Sequence, residues 1–136
     1  VLTTWLMNTA SAAQLGLAST GHASRGLAAP SGVSTHNLRM APGERSLEQL
    51  MADAGTGLLV TSMFGPSLNG NTGDWSAGVS GFWFEEGEIA YPVSEVTVAG
   101  KLTDLYLRLQ RGSDLEFRGA FNVPSLMFDA VAIAGK

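Results

Sequence analysis

Thr72-Gly73-Asp74-Trp75-Ser76-Ala77-Gly78-Val79-Ser80-Gly81-Phe82-Trp83-Phe84-Glu85-Glu86-Gly87-Glu88-Ile89-Ala90-Tyr91-Pro92-Val93 is the stretch around which this chain is organised. Its polar opening leads through a glycine-spaced run into Phe82, Trp83 and Phe84, a block of high strand propensity. Glu85-Glu86-Gly87 predicts a tight reversal, because glycine accepts the positive φ that such turns demand. Glu88-Ile89-Ala90-Tyr91 reads as the returning strand. Pro92 has no amide proton to give to a ladder, so it marks an edge or an end. The segment is a predicted β-hairpin carrying much of the chain's aromatic mass, with the flanking segments arranged to cover it.

Outward from the hairpin, short elements follow one another quickly. Val1 to Leu6 alternates weakly and reads as a strand. Asn8 is a helix cap for Ala10 to Leu15, which Gly16 closes. Ser19 to Gly32, rich in Gly, Ser, Ala and Pro, is a long loop, and long ordered loops are usually functional or mobile. Thr35 to Met40 reads as a strand ended by Ala41-Pro42-Gly43. Ser46 with Gln49 forms a capping box, predicting a helix from Leu47 to Ala54 with Leu47, Leu50 and Met51 buried. Gly57 to Phe64 is a buried strand and Gly65 to Asp74 a polar loop. Beyond the hairpin, Val93 to Ala99 alternates as a strand. Leu102, Leu105, Tyr106 and Leu109 fall at helical spacing, and Arg108 and Arg111 suit the end of that helix. Leu115–Phe121 and Ser125–Ala134 close the chain as strands. The expected fold is α+β, with two or three short helices on a mostly antiparallel β-sheet or a partly open β-barrel.

The 136 residues suit a single domain, 1–136, with a real core. A hydrophobic fraction of 45% argues against disorder. The 17 glycines are spread along the chain, so they read as turns and close contacts rather than a linker. The net charge is −4, with no basic run, which argues against a nucleic-acid partner. Cysteine is absent, removing disulfides, thiolate zinc sites and cysteine nucleophiles, and fitting a cytoplasmic setting. No apolar run approaches the roughly 20 residues that span a bilayer, so no membrane partner is expected. Val1-Leu2-Thr3-Thr4-Trp5 has neither an initiator Met nor a basic start, and reads as the continuation of a larger protein.

Few constellations carry chemistry. His22 and His36 are the only histidines, and no His-Glu-x-x-His pattern occurs, so no metal site is expected from this chain alone. Ser19, Ser24 and Ser76 lie among glycines but in no Gly-x-Ser-x-Gly elbow, and read as turn hydroxyls. Gly65-Pro66-Ser67-Leu68-Asn69-Gly70 lacks the lysine of a phosphate loop. Glu85, Glu86 and Glu88 at the hairpin tip read as charges that keep an edge soluble rather than as an acid–base pair. Asp74 sits in a turn, where a short carboxylate usually caps backbone N–H groups. No catalytic residue is expected. The candidate peptide- or partner-binding residues are Thr20, Gly21, His22 and Arg25, with Asp74. The first four lie in Ser19-Thr20-Gly21-His22-Ala23-Ser24-Arg25-Gly26, which gathers hydroxyls, an imidazole and a guanidinium able to hold an extended peptide or a carboxylate. The same loop reads equally as one packed on a neighbouring domain.

These residues resemble, nearly end to end, the C-terminal domain of the TldD/PmbA family, once labelled modulators of DNA gyrase. The resemblance rests on Trp5-Leu6, Leu15-Gly16-Leu17, the Ser19–Gly26 segment, Asn37-Leu38 and Pro42-Gly43. It continues through Gly57-Leu58-Leu59-Val60-Thr61, Thr72-Gly73-Asp74-Trp75-Ser76, Gly78, Gly81-Phe82-Trp83, Glu86-Gly87-Glu88-Ile89 and Tyr91-Pro92-Val93. Val96-Thr97-Val98-Ala99-Gly100, Asp114 and Pro124-Ser125-Leu126 complete it. Each piece is weak alone, while their order and spacing together are specific.

The resemblance implies a two-subunit zinc-dependent protease acting on unfolded peptides. Its catalytic subunit carries His-Glu-x-x-x-His upstream of this domain and a cysteine ligand near the domain's end. Ser113 to Pro124 lacks that cysteine, so the chain resembles the PmbA (TldE) type of subunit, which binds no zinc. The implied partners are a TldD-like catalytic subunit, or a second copy in a homodimer, and an unfolded peptide; zinc is expected only in the TldD-like partner. The rival reading is a stand-alone binding or assembly module with no proteolytic role, using the Ser19–Gly32 loop or a strand edge.

Overall fold

The computed structural model describes residues 3–135. Its elements, in chain order, are α1 (Thr9–Leu15), β1 (Ala23–Ser24), β2 (Gly32–Val33), β3 (Leu38–Arg39), α2 (Leu47–Ala54), β4 (Gly57–Leu68), β5 (Asp74–Glu85), β6 (Glu88–Lys101), α3 (Leu102–Arg108), β7 (Gln110–Arg111), β8 (Phe121–Asn122), β9 (Leu126–Met127) and β10 (Ala132–Ala134). The class is α+β, with short helices and mostly antiparallel pairing. The main sheet is open, in the order β10-β6-β5-β4, and does not close into a barrel. No helix among the described residues is long and apolar enough to cross a membrane. The chain divides into two compact units. One comprises the residues up to Arg39 with Phe117–Asn122, the other Met40–Glu116 with the residues from Val123 onward.

The larger unit is built on the hairpin. Glu86 (φ 52°) and Gly87 (φ 80°) both take positive φ, the signature of a two-residue turn whose twist matches the strands. β5 pairs with β6 from Asp74↔Lys101 to Glu85↔Glu88, and β4 adds along the other side of β5. Four register shifts interrupt these ladders. Every extra residue sits in β4 or β6 and none in β5, so the two strands flanking β5 bend around a regular β5. Two of the shifts, Val60/Ser62 and Val79/Gly81, fall at one level on either side of Ser80 and Gly81. Two phenylalanine rings occupy the space where the neighbouring strand offers glycine. A Cβ on Gly78 would enter the Phe64 ring, and one on Gly57 would meet Phe84 Cζ at 2.6 Å.

One face of this sheet holds the core: Ala77, Val79, Val96 and Val98, with Leu58, Trp75, Val93 and Val131 packed against them. Val79 has no exposed surface, and each such buried valine contributes about 1.5 kcal/mol or more. α2 forms where the Ser46–Gln49 box predicts it. Ser46 Oγ accepts from Gln49 N (3.3 Å), and Gln49 Oε1 accepts from Ser46 N (2.9 Å). Leu50 and Met51 are buried, Leu47 is half-buried, and Gly55 ends the helix at φ 72°. The Gly87 amide then donates to Gly55 O (2.9 Å), tying the hairpin tip to the end of α2.

Farther along, Asp114 is the clamp of a backbone junction. Ser125 donates to it twice, from N to Oδ1 (2.9 Å) and from Oγ to Oδ2 (2.6 Å). The Gly112 amide donates to Ser125 O (2.7 Å), the Gly43 amide to Gly112 O (2.7 Å) and the Ser113 amide to Arg45 O (2.8 Å). The Ser125 hydroxyl is the main reason that Asp114 holds its carboxyl below the usual range. A carboxyl lowered in the folded state stabilises above its ordinary titration range, and that stabilisation is lost as pH falls through the lowered value. Asp114→Asn is therefore expected to destabilise at pH 6 and to flatten the loss of stability between pH 5 and pH 3. Thermal unfolding across that range checks it; parallel curves for the two proteins contradict it.

The smaller unit is tied together by Asn8. Asn8 Oδ1 accepts from Ser11 N (2.9 Å) and Ser11 Oγ from Asn8 N (3.1 Å), a reciprocal cap of α1. Gly16, at φ 66°, closes the helix. The Asn8 amide group donates also to Ser31 O (3.1 Å) and Gly32 O (3.3 Å), so one buried side chain anchors both helix and loop. β1 and β2 pair as Ala23↔Val33 and Ser24↔Gly32. β3 and β8 run parallel, and Asn122 Oδ1 accepts from Arg118 N (2.7 Å).

Several expected boundaries move. Thr3 to Leu6 forms no strand; Val1 and Leu2, the start of that expectation, lie outside the described residues. The Thr35–Met40 strand shrinks to Leu38–Arg39. β4 runs past Phe64 to Leu68, because a bulge at Gly65-Pro66 lets a proline sit on an edge strand. Val93–Ala99 is not a separate strand. Pro92 lies within β6 opposite Phe82, at a level where β10 does not reach. α3 stops at Arg108 after about two turns, so Leu105 alone is buried and Tyr106 is 61% exposed. The two closing strands reduce to β8, β9 and β10, two or three residues each.

Candidate functional site

Three of the five candidate residues come together in the smaller unit, folded around the main chain of Met7. Thr20 Oγ1 accepts from Met7 N (2.7 Å), donates to Met7 O (3.1 Å) and lies 2.9 Å from His22 Nδ1. The amides of Thr20 and His22 both donate to Met7 O at 3.3 Å. Two amides reach one carbonyl because Gly21 between them adopts φ 75°, a conformation other residues resist. Ser19 Oγ donates to the same carbonyl (3.4 Å) and accepts from Gly21 N (3.3 Å), the turn-hydroxyl role its setting predicts. The His22 ring stacks on that of His36, with centroids 5.8 Å apart and planes within 10°.

Arg25 follows β1, exposed and in no ion pair among the described residues. From it the chain runs through Gly26 to Ser31 as an exposed excursion, with Leu27 wholly in solvent. The excursion is held at its base by the β1–β2 pairing and by Asn8. The excursion thus carries an exposed guanidinium and an apolar tip, a combination suited to a carboxylate or an extended main chain. The anchoring by Asn8 leaves no local sign, because its loop partners lie 23 and 24 residues away.

Asp74 belongs to the larger unit and opens β5. Its carboxylate accepts from the Thr72 hydroxyl (2.6 Å) instead of from the backbone amides that turn chemistry predicts. The backbone amides of Asn71 and Thr72 go to Asn69 Oδ1, at 3.0 and 3.3 Å. The larger unit also has an open cavity of about 540 Å³ between α2 and the hairpin tip, which no spacing in the sequence announces. Its lining includes Glu48, Glu86 and Glu88. The Ser46 hydroxyl, donating to Glu48 Oε2 (2.7 Å), leads the causes that lower the Glu48 carboxyl below its ordinary value. Among the described residues, no three His, Asp or Glu side chains are grouped as a metal site would require.

Against known families, residues 1–135 match the one described as the PmbA/TldA metallopeptidase C-terminal domain. The chain is 42% identical to Metalloprotease PmbA of Escherichia coli O157:H7, covering all of this chain and 28% of that protein. It is 40% identical to the Metalloprotease PmbA homolog of Haemophilus influenzae, over 99% of this chain and again 28% of the relative. This chain thus spans under a third of the length of those relatives. A crystal structure from Thermotoga maritima, described as a modulator of a DNA gyrase, superposes with a TM-score of 0.82 at 31% identity, covering 98% of this chain and 31% of that one. TldE from Thermococcus kodakarensis shares the fold, with a TM-score of 0.79 at 24% identity over 96% of this chain and 31% of that one. The chain belongs to the PmbA/TldD family, as the C-terminal domain of a metalloprotease-type protein.

Proposed function

We propose that this domain is part of a PmbA/TldE-type subunit that holds no zinc itself, pairs with a TldD-like catalytic subunit and helps enclose an unfolded peptide for hydrolysis. The observation that carries this reading is the residue set. The chain has two histidines and no cysteine, and His22 and His36 stack on each other rather than joining a third ligand. The residues of this domain do not fit a zinc site by themselves; in this reading the zinc is the partner's, where it would activate water and polarise a carbonyl. The Thr20–Arg25 turn supports the peptide-holding role. Thr20 and His22 are bonded to the main chain of Met7, and Arg25, three residues beyond His22, offers a carboxylate or a main-chain carbonyl an exposed guanidinium.

The test uses the full-length parent, alone and mixed with a TldD-like subunit. Hydrolysis of an unfolded peptide is expected only in the mixture, with Arg25→Ala raising KM there while leaving its zinc content unchanged. A parent that cleaves peptides alone and retains one zinc per chain would overturn the reading.

A further inference from the structure

The cavity between α2 and the hairpin tip joins apolar side chains to a lining whose charged groups are all acidic. Met51, Leu59 and Ile89 supply the apolar part; Met51 is buried, Leu59 half-buried and Ile89 55% exposed. Glu48, Glu86 and Glu88 supply the charge, and no Lys, Arg or His lines the cavity. The Arg45–Asp53 ion pair involves none of the three glutamates. α2 and the hairpin tip that form the cavity are tied together. α2 is capped at Ser46, the Gly87 amide is bonded to Gly55 O, and a Cβ on Gly87 would lie 2.9 Å from Ala52 Cα. At about 540 Å³ the cavity lies within the range of ligand pockets, about 300–1,000 Å³.

We propose that this groove docks a peptide segment in which a large apolar side chain adjoins lysine or arginine. The apolar residue covers Leu59 and Ile89, while the cationic head reaches the glutamates and its aliphatic stem lies along the apolar side chains. Charge selects this occupant over a second copy docked groove to groove about a two-fold axis, which would bring the same three carboxylates against themselves. A small cation alone would leave the apolar side chains in water.

The proposal rests for its biological meaning on the proteolytic reading, naming the class of peptide held; its assay needs no cleavage and no partner subunit. Fluorescence anisotropy of a fluorescein-labelled peptide alternating lysine and leucine is measured with the full-length parent. Binding is expected, weakened about 10-fold by the combined E48Q, E86Q and E88Q substitutions and by raising salt from 50 to 500 mM. Ile89→Ser is expected to weaken it about 5-fold, through lost apolar burial. A glutamate–leucine peptide is expected not to bind. No binding by the parent, as when another part of it fills the groove, overturns the proposal. So does binding unchanged in the triple variant, or equal affinity for a serine–lysine peptide. Any of these results leaves hydrolysis by the subunit pair standing, and loss of that hydrolysis leaves the binding result standing.

Discussion

Gly81→Ala is expected to lower the midpoint of thermal unfolding by about 10 °C or more, corresponding to about 3 kcal/mol in a chain of this length. A Cβ at residue 81 would drive into the carbonyl oxygen of Leu59, and would also meet Leu59 C at 2.9 Å and Val60 Cα at 3.0 Å. These are backbone atoms of the neighbouring strand, so no side-chain rotation relieves the contact. Relief requires β4 and β5 to separate at the level where the ladder is already interrupted between Val60 and Ser62. The substituted residue lies beside the buried cluster, since Gly81 pairs with Val93, which packs against it. Gly70→Ala is the control. A Cβ there meets nothing within 4 Å, and the change is expected to stay within about 0.5 kcal/mol. A midpoint for Gly81→Ala within about 3 °C of the parent's would show that the strands part freely, and that the glycine there is incidental.

The Asn8 cap and the Ser46–Gln49 box were readable because such signals are local, so α1 and α2 lie where Asn8 and Ser46 predict them, while the reciprocal Asn8–Ser11 bonds appear only in the structure. The hairpin was readable because Glu86-Gly87 and the aromatic run before it are local signals. The phase of the long strands was not. An alternation drawn through Val93, Glu95 and Thr97 places Val93 opposite Val96 and Val98, yet all three pack into one cluster. The Thr20–His22 turn was legible as a polar loop, since hydroxyl, glycine and imidazole stand together there, but its bonding to the chain's own backbone was not. The carbonyl it wraps around, that of Met7, lies 13 residues before Thr20, and no spacing rule connects them. The acidic lining was visible as Glu86 and Glu88, but its meaning depends on Glu48, placed beside them only by α2 docking at the hairpin tip.

Deleting Glu95 is expected to cost about 3 kcal/mol, while Glu95→Gly is expected to stabilise by about 0.5–1 kcal/mol. The opposite signs follow from what the residue does. Its side chain is exposed and its φ is 56°, a left-handed conformation that glycine adopts without strain. Its backbone is the extra unit in β6. Val79 pairs with Val96 and Gly81 with Val93, so three steps along β6 match two along β5. That odd residue resets the strand and turns Val93 onto the face of Val96 and Val98. Without it the ladder becomes regular, and period-2 geometry sends either Val93 or everything toward the Glu86-Gly87 turn to the wrong face. Losing a packed valine costs about 1.5 kcal/mol, and the cavity it leaves or the turn forced to absorb a residue supplies the remainder. Denaturant unfolding of the two variants measures both signs. If the deletion unfolds at the parent's midpoint, the phase of β6 is set elsewhere, and the turn rather than the bulge determines which side chains reach the core.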